Sequence, residues 1–150
     1  TQQLAKNLLL SGERTLLRRE HAGNWRTLGT ATVKLACCLD AYGVIHAGTE
    51  DARVLRLDAA GWFEPLSGFD AVPGRDRWYS GSAVVNGRVM GPPLGVRSMD
   101  VSCDGGVLLV NVHVGGIPRS TDGGQSWQPT IDIEVDVHQV RAHPARPWTA

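Results

Sequence analysis

Surplus charge is missing from this chain. Charged residues make up only 20% of it, and 15 basic residues balance 15 acidic ones to a formal net charge of zero. A nucleic-acid binder needs an excess of Lys and Arg to neutralise phosphates, so no nucleic-acid partner is expected. Long apolar runs are missing too. The longest, such as Val107 to Val110, fall far short of the ~20 residues that cross a bilayer, and the N-terminal residues carry no apolar stretch ending in a small-residue cleavage site. The expectation is a soluble, unexported, cytoplasmic protein without a membrane partner. Cysteine is scarce: Cys37 and Cys38 are adjacent and Cys103 is distant, which makes neither an even disulfide framework nor a CxxC metal spacing. They are expected as small core residues in a reducing compartment. Helical periodicity is absent as well, since no segment longer than about ten residues carries an i, i+3, i+4, i+7 stripe between plausible caps.

What the chain does have is turns and strands. Gly at 18 and Pro at 8 break it into many short runs, and 42% apolar residues suffice for a folded core. The sharpest local pattern is Ser120-Thr121-Asp122-Gly123-Gly124-Gln125-Ser126-Trp127, with Ser120, Asp122, Gly124, Ser126 and Trp127 at the spacing S-x-D-x-G-x-S-W. An Asp here accepts hydrogen bonds from amides of its own turn, the glycines supply positive φ, and the Trp folds back into the gap between sheets. Two partial copies lie upstream, Glu20 to Trp25 and Asp58 to Trp62. The pattern resembles the Asp-box of BNR-repeat β-propellers, a group that includes sialidases, other glycosyl hydrolase-like proteins, sortilin-like receptors and photosystem assembly factors. The resemblance runs over roughly residues 8 to 144 and implies an architecture more than an activity.

Each copy is preceded by two β-rich runs and followed by a short one: Leu8 to Gly12, Arg14 to Arg19 and Trp25 to Leu28; Val44 to Gly48, Arg53 to Leu57 and Trp62 to Leu66; Val107 to Gly115, Ile117 to Ser120 and Trp127 to Ile131. A further strand precedes the second and third units, Thr32 to Leu39 and Val96 to Cys103. This predicts an all-β fold of four-stranded antiparallel blades, about three per chain: 8–30, 31–69 and 95–132, with an inserted β-flap at 70–94. The first blade lacks an innermost strand, since residues 1–7 are short and polar. The segment 135–144 supplies one too many. Three blades do not close, because propellers carry ~4 to 8 around a channel. Two alternatives follow: a homodimer in which each copy lends strand 135–144 to the other's first blade, or a longer chain of which this is part.

Candidate ligand-binding residues come from two places. The flap carries the type I′ signal Asn86-Gly87, flanked by Arg77, Trp78 and Tyr79 on one side and Gly91-Pro92-Pro93-Leu94-Gly95 on the other, where aromatic faces and planar cations suit a ligand or partner. Alignment of the innermost strands puts Lys34, His138 and either Ser98 or Arg97 in register at the channel, with His113 in a neighbouring strand and Asp136 placed to hold an imidazole in one tautomer. The histidines His46, His113, His138 and His143 match no known ligand spacing, so neither metal nor other cofactor is expected. As an enzyme the chain would be a glycosidase-like hydrolase drawing carboxylates such as Glu13, Glu50, Asp51 and the weak catalytic candidate Asp136 from several blades. The sialidase motif set is not found: Ile117-Pro118-Arg119 has the wrong order, and Tyr42 and Tyr79 lack an assignable Glu partner. The preferred expectation is a binding propeller whose channel mouth and flap take a saccharide, an anion or a protein partner.

Overall fold

Short antiparallel hairpins supply nearly all the regular structure of the chain, seen in a computed structural model. The structure describes residues 7–81, 83–90 and 94–147, so the polar start up to residue 6 and the flap flank Gly91-Pro92-Pro93 lie outside it. β1 (Leu8–Ser11), β2 (Thr15–Arg19) and β3 (Trp25–Thr30) form the first sheet. β4 (Leu35–Ala41), β5 (Val44–Thr49), β6 (Val54–Leu57) and β7 (Phe63–Pro65) form the second. A two-stranded hairpin follows, β8 (Ala83–Val85) and β9 (Arg88–Met90). The last sheet comprises β10 (Ser98–Val101), β11 (Leu108–Asn111), β12 (Pro118–Ser120) and β13 (Gln128–Pro129). In every sheet the strands neighbour one another in chain order. The only α-helix among the described residues is one turn, α1 (Ser67–Asp70), followed by a 3-10 turn at Arg75–Arg77. The molecule is all-β, as the turn-rich composition implies.

The sheets are stacked by apolar residues that emerge on both faces. Leu8, Leu10, Leu16 and Leu28 of the first sheet meet Ile45, Ala47, Leu55 and Leu57 of the second. On the other side of the second sheet, Leu39 and Val54 meet Met99, Val101, Leu108 and Val110 of the third. A bulge between Leu35 and Cys37 lets β4 serve both sides, sending Leu35 toward the first sheet and Leu39 toward the third. Each such side chain contributes roughly 1.5 to 3 kcal/mol when fully buried, so the two seams carry the fold. β4 packs beside β10, and Gly48 of β5 has no room for a Cβ, which would lie 2.4 Å from Val96 Cγ1.

The predicted strand at 135–144 is not a strand in this chain. The segment runs extended across the outer face of the third sheet, where Val140 and Ala142 cover Val107 and Leu109. Its backbone pairs with the chain at His113 and Val114 only over residues 136 and 137, and beyond that it is held by side chains: the Val140 amide donates to Ser98 Oγ at 3.0 Å and the Ala142 amide to Asp100 Oδ2 at 2.9 Å. Ser98 and Asp100 alternate along β10 and so share the face that meets it. Among the described residues β1 has no neighbour on its outer edge.

The meanders sort the connections into two ends. At one end lie the acid-closed turns. Asp58 accepts from the amides of Ala60 and Trp62 at 2.9 and 2.8 Å, and Asp104 accepts from Gly106 at 3.1 Å. Asp122 Oδ1 accepts from the amides of Gln125 and Ser126, both at 2.9 Å, and from Ser120 Oγ at 2.8 Å. Trp127 then folds inward, its indole N–H donating to Gly124 O at 2.9 Å and its ring edge-on to Phe69. The partial copies do not do this. Trp25 and Trp62 remain 44% and 68% exposed, and Arg18 and Arg56 occupy the positions that correspond to Ser120.

Hydrogen bonds from Ser126 and Ser120 hold the Asp122 carboxyl well below the usual carboxylate range. A depressed folded-state pKa stabilises the fold above the unfolded value of about 3.9, and that contribution disappears as pH falls through the folded value. Thermal melts of wild type and Asp122→Asn should therefore differ most at neutral pH and converge toward pH 2. A gap that is constant over this range would contradict it.

Candidate functional site

The opposite end gathers the β1–β2, β5–β6 and β11–β12 loops, with Tyr79 and Ser80 of the connection after β7 and residues 136–138 of the C-terminal segment. Here β11 ends at Asn111, a polar residue only 1% exposed. Its Oδ1 accepts the His113 amide at 2.7 Å and its Nδ2 donates to Val137 O at 2.9 Å, while the Val137 amide donates to His113 O at 2.8 Å. One side chain thus fastens the loop to the C-terminal segment. The i to i+2 bond turns the chain sharply, and His113 adopts φ 90. For a residue with a Cβ, left-handed backbone costs about 1 to 3 kcal/mol and persists only where surroundings enforce it.

The imidazole of His113 is fixed as firmly as its backbone. Nδ1–H donates to the carbonyl of Ser80. The ring packs on Gly81, where a Cβ would come within 2.5 Å of Cε1. A neutral ring that uses its hydrogen at Nδ1 carries a lone pair at Nε2. Buried Nε2 makes no hydrogen bond among the described residues, yet Asp136 Oδ1 stands 2.8 Å away. His138 completes the group, with Nε2 3.9 Å from Asp136 Oδ2 and its ring 5.1 Å from that of His113. Burial grades outward: His113 is 15% exposed, Asp136 61% and His138 83%. Val114 bridges Tyr79 on one side and Asp136 on the other, which puts half-exposed Tyr79 in the same short ladder.

Of the residues expected at a ligand site, the structure unites His113, His138 and Asp136, with Tyr79 alongside. Lys34 lies at this end directly before β4, but its ammonium pairs with Glu13 at 3.0 Å, and that contact raises its pKa. Arg97 immediately precedes β10, as Lys34 precedes β4, and its amide donates to Asn111 O at 2.7 Å. Arg97 rather than Ser98 therefore takes the aligned position, Ser98 being engaged by Val140. Arg77 is exposed and faces Glu134 at 3.6 Å. Trp78 does not face a ligand. It is buried in the core between the second and third sheets, with the Arg75 guanidinium 4.8 Å from its ring centre and Phe69 at 5.5 Å. The flap turn is as expected, with φ 52 at Asn86 and 75 at Gly87.

Asn111, Ser80 and Gly81 were not foreseeable as site residues, although an Asn in the otherwise apolar run Val107 to Val112 is a visible anomaly. His46 is the bland case. It is buried opposite Leu39, and desolvation lowers its pKa, so it is a neutral core residue at pH 7. A second concavity of about 600 Å³ lies at the turn end, where Arg18 and Asp40 neutralise each other at 2.8 Å. Comparison with protein-family models, curated proteins and solved structures finds no match to this chain.

Proposed function

We propose that the three sheets are successive blades of a β-propeller, closed into a ring by a second copy or by further sequence, and that the loop end around His113 binds a small anionic or saccharide ligand. The blade reading is supported by the chain-order meanders, by the second sheet's two buried faces, and by the likeness of the Asp122 turn to an Asp-box. The ring is supported by β1, which has no neighbour on its outer edge among the described residues, and by the segment 135–144, which covers the third sheet where the inner strand of a following sheet would pack. A particle twice the 16.1 kDa of one chain in light scattering is the outcome expected of the two-copy ring, and a monodisperse particle of one chain would contradict it.

One observation carries the ligand site: a left-handed histidine, clamped on three sides, directs an unsatisfied nitrogen toward two exposed polar groups. Packing alone gives no reason for that arrangement. Asp136 has imidazoles as its partners rather than a second carboxylate, which favours binding over a two-carboxylate hydrolase. Titration of histidine-labelled chain with glucuronate, followed by the imidazole NMR signals, should give saturable shifts of His138 and His113 that weaken in Tyr79→Ala. Unmoved signals with both glucuronate and neutral methyl glucoside would overturn the ligand reading.

A further inference from the structure

We infer that His113 Nε2, His138 Nε2 and the Asp136 carboxylate form a site for a divalent d-block cation of the zinc type, with a coordination position left open to solvent. The inference deepens the ligand reading above and rests on it: the open position is where an anionic or hydroxyl oxygen of the ligand would bind.

The tautomer comes first. The Ser80 carbonyl can only accept, so His113 carries its hydrogen on Nδ1 and presents the Nε2 lone pair to an acidic oxygen 2.8 Å away. A lone pair and a carboxylate at that distance repel each other unless something positive lies between or beside them. A proton shared by His113 and Asp136 would answer this pair but would leave the second imidazole without a role. A metal ion uses all three groups.

The spacing agrees. The three donor atoms lie within 4.8 Å of one another. A four-coordinate zinc ion, with donors at about 2.0 to 2.1 Å, holds them roughly 3.4 Å apart. The closest approaches, His113 Nε2 to Asp136 Oδ1 at 2.8 Å and His138 Nε2 to Asp136 Oδ2 at 3.9 Å, fall on either side of that value, and rotation of the exposed Asp136 and His138 side chains is what would bring one carboxylate oxygen to both rings. Donor chemistry agrees as well. Two imidazoles and one carboxylate, open on one side, is a donor set suited to a borderline cation, and a ligating histidine characteristically gives its other N–H to a backbone carbonyl, as His113 does to Ser80. The ring is held before any ion arrives, because Gly81 leaves space for it and Asn111 fixes its backbone. Asp136 and His138, two apart on the extended C-terminal segment, are brought to it by the Val137 pairing.

The test uses the purified whole chain stripped with EDTA and titrated with Zn²⁺ by calorimetry, and with Co²⁺ by visible absorption. One saturable equivalent per chain is expected, with Co²⁺ bands of a low-coordinate nitrogen and oxygen site. His113→Ala, Asp136→Asn and His138→Ala should each weaken binding by at least about tenfold. His138→Ala is the decisive variant, because a largely exposed side chain can be removed without unfolding the chain. Gly81→Ala should also weaken binding by displacing the ring, whereas His21→Ala and His143→Ala should leave it unchanged. No saturable uptake, or uptake that survives His138→Ala and is lost with His143→Ala, would overturn the assignment. The glucuronate titration repeated in EDTA separates the two proposals: shifts that persist without metal leave the ligand site standing and remove the cation from it.

Discussion

Trp78→Ala is expected to cost about 3 to 5 kcal/mol of folding stability, among the largest losses a single substitution in this chain can produce. Its ring is buried between the second and third sheets, against Phe69 and beneath Arg75, and Gly115 is tight enough beside it that a Cβ there would lie 3.1 Å from Cδ1. Truncation would empty this space and leave the half-buried Arg75 guanidinium without the aromatic face that accommodates it. Among the described residues the buried indole N–H has no partner, so no hydrogen bond to it is lost there. Trp78→Phe should therefore cost far less than Trp78→Ala. Urea unfolding would show this as a large drop in midpoint at unchanged slope for the alanine variant. A midpoint near that of wild type would mean the ring is not part of the core.

Asn111→Ala should produce the second large loss, and it should reach the site as well as the fold. Two partly buried groups, the His113 amide and the Val137 carbonyl, would lose their partner, at up to about 1 to 3 kcal/mol each. The C-terminal segment would keep its Val137 amide bond to His113 O but lose the bond from Asn111 Nδ2 to Val137 O, so the His138 and Asp136 side chains should sit less tightly against the imidazole. Asn111→Asp separates the two bonds. It retains an acceptor for the His113 amide but turns a carboxylate oxygen toward Val137 O, so His113 should keep its backbone turn while the segment at 137 loosens. Unfolding midpoints together with the imidazole NMR signals of both variants would read these outcomes. Equal behaviour of the two variants would show that one bond alone organises this end.

The strands were legible because their residues obey local rules. Short apolar runs bounded by turn residues mark β1, β2 and β11, Asn86-Gly87 marks the flap turn, and the acids at Asp58, Asp104 and Asp122 stand where turns need an acceptor for backbone amides. Successive apolar residues at Leu35 to Leu39 in β4 and Val107 to Val110 at β11 mark sheets covered on two faces. Other features depend on partners remote in the chain. The segment 135–144 has the alternation of a strand, and nothing local reveals that Ser98, Asp100 and Asn111 hold its backbone in place of a neighbouring strand. Trp78 and Tyr79 look alike as flap aromatics, yet successive residues of extended chain point to opposite sides, and one is buried while the other is half exposed. His113, Asp136 and His138 were each legible as candidate ligand residues, but their convergence into one donor group was not, for the same reason. Spacing rules for metal ligands find donors close in sequence, whereas two strands and a loop separate His113 from the other two.

The protonation pattern of His113 tests the central claim most directly, namely that this end of the molecule is built around one immobilised imidazole. Long-range proton–nitrogen NMR of histidine-labelled chain above the titration range of free imidazole distinguishes the two ring nitrogens. A protonated Nδ1 and an unprotonated Nε2 at His113, in a single conformation, is the predicted result. A ring protonated at Nε2, or one averaging between tautomers, would contradict the account.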